Sequence, residues 1–334
     1  MKRQQELFEK IVSFENLLNA SKKAFRGKQN QSAVFRFCFN LEYELLELKQ
    51  ELTHGLYKPR DYKIFEIREP KIRKICSSAF RDRIVHHAIC NVLEPLFEKR
   101  LISDTYACRV GKGLHAAVKR CQQLTQKNGY YLKCDIRKFF ESIDHMLLKV
   151  LLRRLIKDKR VLGLLDQITD HEVPGYALFK GLPIGNLTSQ HFANLYLGEL
   201  DHFLKERLRV KAYIRYMDDF VLFAPRKELL HSYLGSLRGY LSEKLKLELK
   251  EKVTKIAPVS EGVPFLGFRI YPSLIRVQRV NLIRYRKKIR QKEWDYESGK
   301  LVEAKLIESV NSLIAHISHA STLSLRRKEF HGIG

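Results

Sequence analysis

Apolar residues recur every three or four positions at the start of the chain: Leu7, Ile11, Phe14 and Leu18 form one stripe, and Leu41, Leu45, Leu48 and Leu52 form another before Gly55. Such spacing places side chains on one face of an α-helix, and a glycine just past the run suits a helix C-terminus. The first 55 residues are therefore expected to be mainly helical. From Tyr57 to Ile75 the rhythm breaks, and proline, aromatic and β-branched residues point to short strands. Helical spacing returns from Phe80 to Val92 and is expected to stop at Pro95, which has no amide hydrogen to donate. Tyr130–Asp135 (YYLKCD) reads as a strand ending in a carboxylate. A helix carrying Leu147, Leu148, Leu151 and Leu155 follows it, with Asp144 placed to accept from the amides of its first turn.

Further along, the pattern predicts a long helix over about 189–208, a hairpin with strands over about 212–217 and 220–224, and a helix over about 227–245. Short strands near 265–270 and 274–280 precede a basic helical tail. There is no internal repeat and no low-complexity linker. Strands alternating with helices, with hairpins late in the chain, predict an α+β core on an antiparallel sheet.

Composition sharpens this picture. At 45% hydrophobic and 30% charged, the 334 residues can build a sizeable core and are too apolar for a disordered chain. The 62 Lys and Arg against 37 Asp and Glu leave a formal charge of +25, an excess that calls for a polyanionic partner, above all nucleic acid. Six cysteines form no C-x-x-C pair, so reduced thiols are expected rather than a zinc ribbon or a disulfide scaffold. His86, His87 and Cys90 fall in a helical segment without a second ligand pair, which favours packing over metal binding. Met1–Lys10 is charged and leads into no apolar signal segment, and no stretch approaches the roughly 18 apolar residues of a membrane span. A cytoplasmic protein without membrane contact is expected.

The candidate chemistry lies in Ala212–Phe223 (AYIRYMDDFVLF). Asp218-Asp219 occupies the expected two-residue turn, where Asn-Gly or Asp-Gly would tolerate positive φ far better. Adjacent carboxylates repel and raise each other's proton affinity unless a cation neutralises them, and their hard oxygens suit Mg²⁺. A third carboxylate would complete a site for two ions about 3.5 to 4 Å apart, able to clamp the attacking and leaving oxygens of a phosphoryl transfer. Asp135 is the candidate. Taken alone, the dipeptide reads better as a solvated polar turn; the words around it reverse that reading.

Tyr216-Met-Asp-Asp219 resembles the active-site hairpin of reverse transcriptases, and Asp135-Ile-Arg-Lys-Phe-Phe140 resembles their first catalytic strand, in matching order and separation. Lys71–Val85 (KIRKICSSAFRDRIV) resembles the fingers segment of bacterial members, Tyr106–Gly113 (YACRVGKG) the next fingers block, and Phe265-Leu-Gly-Phe268 the primer grip. The resemblance spans about residues 57–270. Within the bacterial enzymes, Leu182–Gln190 (LPIGNLTSQ) discriminates. Group II intron and retron enzymes usually carry Gln before the Gly and Ser-Pro at the end, whereas Ile184-Gly185 with Ser189-Gln190 resembles the enzymes of diversity-generating retroelements. One departure is visible: many relatives carry Lys-Thr where this chain has Val253-Thr254, with Lys252 one place away, which leaves the identity of any general acid open.

The resemblance implies a right-hand polymerase with a helical N-terminus, fingers, an antiparallel-sheet palm and a short helical thumb. Its divisions would be 1–130 for the N-terminal helices and fingers, 131–270 for the palm with an embedded fingers segment, and 271–334 for the basic thumb. It implies an RNA-directed DNA polymerase that copies a template-repeat RNA into error-prone, adenine-mutagenised cDNA. Asp135, Asp218 and Asp219 would hold two Mg²⁺ ions, with Mn²⁺ able to substitute and with Ile136 also in the metal site. Arg73, and with it Lys71 and Arg81, would meet the triphosphate of the incoming deoxynucleotide. Phe140, beside Phe139, matches the steric gate against a ribose 2′-hydroxyl. Ile184, with Gly185 and Gln190, stands where faithful relatives place an amide side chain near the nascent pair, a contact a β-branched hydrocarbon cannot make. Phe265, Leu266 and Gly267 would grip the primer. Arg269–Lys292, with nine Lys or Arg and no acidic residue, would track the template-primer backbone. The implied partners are the template-repeat RNA, the cDNA or primer strand, deoxynucleotides and a small basic accessory variability protein. Two further readings stand beside this one: a retron or group II intron-like reverse transcriptase, and a catalytically inactive RNA-binding scaffold.

Overall fold

The computed structural model describes residues 6–28, 32–68 and 72–330. Four helices open the chain, α1 (Phe8–Val12), α2 (Phe14–Phe25), α3 (Ser32–Phe39) and α4 (Leu41–Thr53). An antiparallel pair follows, β1 (Lys63–Ile67) with β2 (Arg73–Ser77), then α5 (Phe80–Glu98), α6 (Leu114–Thr125) and β3 (Tyr130–Asp135). The short α7 (Phe139–Ser142) leads to α8 (His145–Leu155), α9 (Lys159–Asp170) and α10 (Leu187–His202). Next come β4 (Ala212–Tyr216), β5 (Asp219–Ala224), α11 (Lys227–Leu245) and β6 (Lys255–Pro258). Strands β7 (Val263–Phe265), β8 (Phe268–Ile270) and β9 (Ile275–Val277) precede α12 (Arg279–Glu297), α13 (Glu303–Ile317) and α14 (Leu323–Phe330).

These elements gather into two interleaved units. The first comprises residues 1–103, 136–207 and 238–248; the second comprises 104–135, 208–237 and 249–334. In the first unit α5 is the central helix, burying Ile84, Val85, Ala88, Ile89 and Leu93, with α2 and α10 packed on it. The expected stop at Pro95 is corrected here, because α5 continues one turn past it to Glu98. A proline that close to a helix end removes one amide bond, and the burial of Leu96 and Phe97 in the last turn outweighs that loss. Asp144 caps α8 as expected, accepting from Leu147 N at 2.9 Å, and its other oxygen meets Lys246 Nζ at 2.7 Å. The long helix predicted over 189–208 is α10 followed by a π-helical turn, Phe203–Arg207.

Asp158 joins two parts of this unit. Its carboxylate accepts from Arg160 N and Val161 N in the first turn of α9, and from Leu7 N and Phe8 N at the start of α1, both at 3.0 Å. Burial alone would raise this carboxyl group, but the four backbone amides outweigh it and hold the group below the usual carboxylate range. Its stabilisation is thus present above the unfolded value of about 3.9 and is lost as pH falls through the lower folded value. Asp158→Ala is expected to cost about 1 to 2 kcal/mol in urea unfolding at neutral pH. The gap from wild type should close in acid, and a gap that persisted there would refute the capping account.

The second unit is built on a four-stranded sheet in the order β4-β5-β3-β6, every neighbouring pair antiparallel, with a separate three-stranded sheet β7-β8-β9. Register places Tyr131 opposite Phe223, Lys133 opposite Val221, and Ile214 opposite Val221 on its other side. Side chains of paired residues share a face. On this face Tyr131, Ile214, Val221 and Phe223 form a core with Val118 and Cys121 of α6 and with Phe265 and Phe268. The α+β class with antiparallel sheets is as expected from the sequence.

Candidate active site

The apolar face of the four-stranded sheet ends in acid. Asp135 is the register partner of Asp219, so two carboxylates project from one face, where paired Cβ atoms stand about 4.5 to 5.5 Å apart. The hairpin differs from the expectation in one respect. Tyr216 pairs with Asp219, so the two-residue turn is Met217-Asp218 rather than Asp218-Asp219. The shift puts Asp218 at the apex and makes Asp219 the first residue of β5. Met217 adopts φ +57°, a left-handed conformation that a large side chain enters only when its surroundings hold it there. Arg215 supplies the hold: it is fully buried, and its Nη1 donates to the Met217 carbonyl at 3.1 Å. The Arg215 backbone is tied in turn to Asp104 O and Tyr106 N, each at 3.0 Å.

Two lysines meet the carboxylates. Lys133 precedes Asp135 by two positions and therefore shares its face. Its stem lies at the margin of the apolar core, only 10% of its side chain is exposed, and its ammonium meets the Asp219 carboxylate. The same ammonium lies 5.0 Å from the centroid of the Phe265 ring. Burial pushes Lys133 down to about 8, against the opposing pull of Asp135 and other negative neighbours. Lys250 donates its backbone N–H to Asp135 O at 2.8 Å and holds its Nζ 3.9 Å from Asp135 Oδ1. Among the described residues, no group of three or more His, Cys, Asp or Glu side chains stands in a metal-holding arrangement. Asp219 and Asp135 are turned to lysines instead. As a donor set, a hairpin apex and two facing strand positions carrying only hard carboxylate oxygens fit Mg²⁺ or Mn²⁺ rather than a soft metal.

The hairpin β7–β8 contributes the expected grip residues to this unit. Phe265 is buried, and Leu266 and Gly267 form its turn at φ +49° and +86°, the pair of positive values a tight primed turn requires. A side chain at 267 would run into Asn281. The Gly267 carbonyl accepts from Gln278 N and from Asn281 Nδ2, both at 3.0 Å, which pins the turn to the start of α12. That helix buries Tyr285 and Ile289 with Ile317 of α13 and leaves Lys287, Lys288 and Arg290 exposed.

The remaining candidates belong to the first unit. Ile136 and Phe139 are buried, whereas Phe140 is half-buried and packs edge-on against Phe139 with centroids 5.5 Å apart. Of the two aromatics, only Phe140 has surface to offer a ligand. Ile184 O accepts from Cys76 N of β2 at 2.9 Å. Gly185 sits at φ +127°, where a Cβ would stand 3.0 Å from Cys76 O, so the close approach of this loop to β2 requires glycine. Gly185 lines an open cavity of about 980 Å³ together with Ile75 and three cations, Lys28, Lys63 and Arg83. Gln190 is half-buried on α10, and Arg73 is exposed on β2. Lys71 lies outside the described residues. Arg81 departs from its expected role. It is 7% exposed, ion-paired with Glu51, and its guanidinium lies over the Tyr57 ring, so its charge is spent inside the fold. Arg83, two residues on, lines the cavity instead. His86, buried and held near pH 3 chiefly by desolvation, shares a hydrogen bond of 2.8 Å with Thr188 Oγ1.

Sequence reasoning did not find Lys133, Lys250, Arg215, Asn281 or the cationic cavity wall. Only Lys133 carried a legible signal, the two-residue period that puts it beside Asp135. No helix among the described residues is long and apolar enough to cross a membrane.

Residues 61–270, more than half of the chain, match the family described as reverse transcriptase (RNA-dependent DNA polymerase). Protein YkfC of Escherichia coli (strain K12) is 29% identical over 273 residues, covering 69% of this chain and 72% of that protein. Group II intron-encoded protein LtrA of Lactococcus lactis subsp. cremoris is 24% identical over 347 residues, covering 82% of this chain. The match spans 54% of LtrA, about half its length. Among solved structures, apo telomerase from Candida tropicalis, truncated from its C-terminal domain, aligns over 71% of this chain and 60% of that one, with 13% identity and a TM-score of 0.49.

Proposed function

Because the chain belongs to the reverse transcriptase (RNA-dependent DNA polymerase) family, we propose that it is the polymerase of a diversity-generating retroelement. In this reading it copies a template-repeat RNA into cDNA with errors concentrated at template adenines. Asp135, Asp218 and Asp219 hold two Mg²⁺ ions, with Mn²⁺ as a substitute, and Ile136 adjoins the same site. Divalent ions held by these carboxylates would supply activation of the primer 3′-hydroxyl and neutralisation of charge on the departing pyrophosphate. Arg73 and Lys71 meet the triphosphate, with Arg83, which lines the cavity, a better third cation than the ion-paired Arg81. Phe140 excludes the ribose 2′-hydroxyl, and Phe265, Leu266 and Gly267 seat the primer end. The basic surface of α12 follows the nucleic-acid backbone as a thumb, each neutralised phosphate steepening the salt dependence by about 0.7 to 0.9 in log-log slope. The division at 130 and 270 into fingers, palm and thumb belongs to this proposal, as does a small basic accessory protein.

The observation that carries the retroelement assignment is Ile184, a hydrocarbon beside the glycine that lines the cationic cavity. A side chain there with no hydrogen-bonding group cannot penalise a mispair through a lost contact, a penalty worth about 1 kcal/mol per bond. Sequencing cDNA copied from a defined RNA containing all four bases tests this. Errors opposite adenine are expected to exceed those opposite other bases, and Ile184→Gln is expected to reduce them by about fivefold. An error spectrum equal at all four bases in the unaltered protein would sink the assignment. It would favour the second reading, a group II intron-type enzyme, for which the likeness to an intron-encoded protein speaks.

A further inference from the structure

We propose that Lys133 is a resident counter-cation for the carboxylate site, which holds Asp219 until a divalent ion takes it and thereby sets the ion concentration at which the site fills. The inference rests on the proposal that Asp135, Asp218 and Asp219 bind metal.

Three carboxylates brought to one sheet end repel one another, and without a cation the fold would have to bear that repulsion. Lys133 answers it from within the sheet. Its position two residues before Asp135 and opposite Val221 fixes its side chain on the acidic face. The ammonium is paired with Asp219, while Lys250 approaches only Asp135, from 3.9 Å and with 38% of its side chain exposed. Lys133 is thus the buried member of the pair of cations and the one tied to the carboxylate beside the hairpin apex.

An ion that recruits Asp219 has to displace this ammonium or share the carboxylate with it. Displacement does not strand the charge. The Phe265 ring, 5.0 Å from Nζ, offers a second seat through its negative face. Lys133 therefore has two partners between which a short movement transfers it. Phe265 opens the hairpin assigned to the primer, so the same ring would sense both occupants. Lys133 acts here through Asp219 and is a positioning residue.

The test is Mn²⁺ binding to the full chain without nucleotide, followed by titration with electron paramagnetic resonance detection. Lys133→Met keeps the length of the stem and removes the charge. It is expected to tighten Mn²⁺ binding at least about tenfold, the size that loss of one unit charge a few ångströms from a divalent ion gives even in a water-like dielectric. Lys133→Gln, which keeps a donor for Asp219 without the charge, is expected to shift affinity in the same direction. It covers the case in which the methionine variant does not fold. Folded variants with unchanged or weaker Mn²⁺ binding would overturn the proposal, because a merely structural lysine has no reason to oppose the metal. The underlying metal reading is tested separately. Asp218→Asn in the otherwise unaltered chain should abolish Mn²⁺ binding and leave the free-ion signal undiminished, and if binding survives that change, the carboxylates are not the metal site whatever Lys133 does.

Discussion

Asp218→Asn is expected to lower the rate of single-nucleotide extension on an RNA template at least about a thousandfold, with RNA affinity and thermal stability unchanged. The substitution preserves shape and removes one charge at the apex of a hairpin whose backbone is held from behind by Arg215. Removing one preorganised polar group aimed at a transition state typically costs 10² to 10³-fold, and under the proposed function an apical carboxylate would also hold the metal, so its loss would do more than the loss of one such group. Asp135→Asn is expected to be as severe. Asp219→Asn should cost less, on the order of a hundredfold, since in the resting chain that carboxylate is engaged by Lys133. Rapid-quench primer extension with deoxynucleotides and Mg²⁺, beside an RNA-binding titration, separates chemistry from binding. Extension that persists in Asp218→Asn would remove the hairpin from the mechanism. A chain that binds RNA and extends nothing even unaltered, also with the proposed accessory protein present, would favour the inactive scaffold.

How far the site was legible follows from which interactions are local. The bounds of α11 (Lys227–Leu245) and the strand Tyr130–Asp135 agree with the sequence, because periodicity and strand propensity are properties of neighbours. The hairpin stands where the sequence predicts it, with its turn one residue earlier. Turn chemistry favours Asp over Met at positive φ, and it yields here to a buried guanidinium that no local rule contains. Pro95 shows the same hierarchy, with two buried side chains beyond it carrying the helix on. Arg81 and Arg83 look interchangeable in sequence, yet helical geometry turns the first toward Glu51 and Tyr57 and leaves the second on the cavity. Such choices depend on which distant residues arrive nearby, as Asn281 does at Gly267.

Arg215→Met is expected to destabilise the chain by about 3 kcal/mol and to reduce extension by about a hundredfold in the protein that remains folded. Arg215 is the largest of the fully buried side chains, and methionine leaves the Met217 carbonyl without its 3.1 Å donor. Met217 is half-buried, so leaving its carbonyl without a donor costs about 1 kcal/mol, and more is lost with the partners of the buried Arg215 charge. The effect on rate has a separate origin. With its restraint gone, Met217 is free to leave φ +57°, and Asp218 moves with it; a displacement of about 1 Å at a reacting centre can cost 10²-fold. Glycine at 217 would adopt the left-handed conformation without steric penalty, where a bulky residue stores about 1 to 3 kcal/mol. Met217→Gly introduced into Arg215→Met is therefore expected to recover part of the extension rate while recovering little of the packing loss, as measured by urea unfolding on the same samples. If glycine at 217 restores no activity, the strained turn is not what Arg215 holds, and the hundredfold loss must come from the sheet around it.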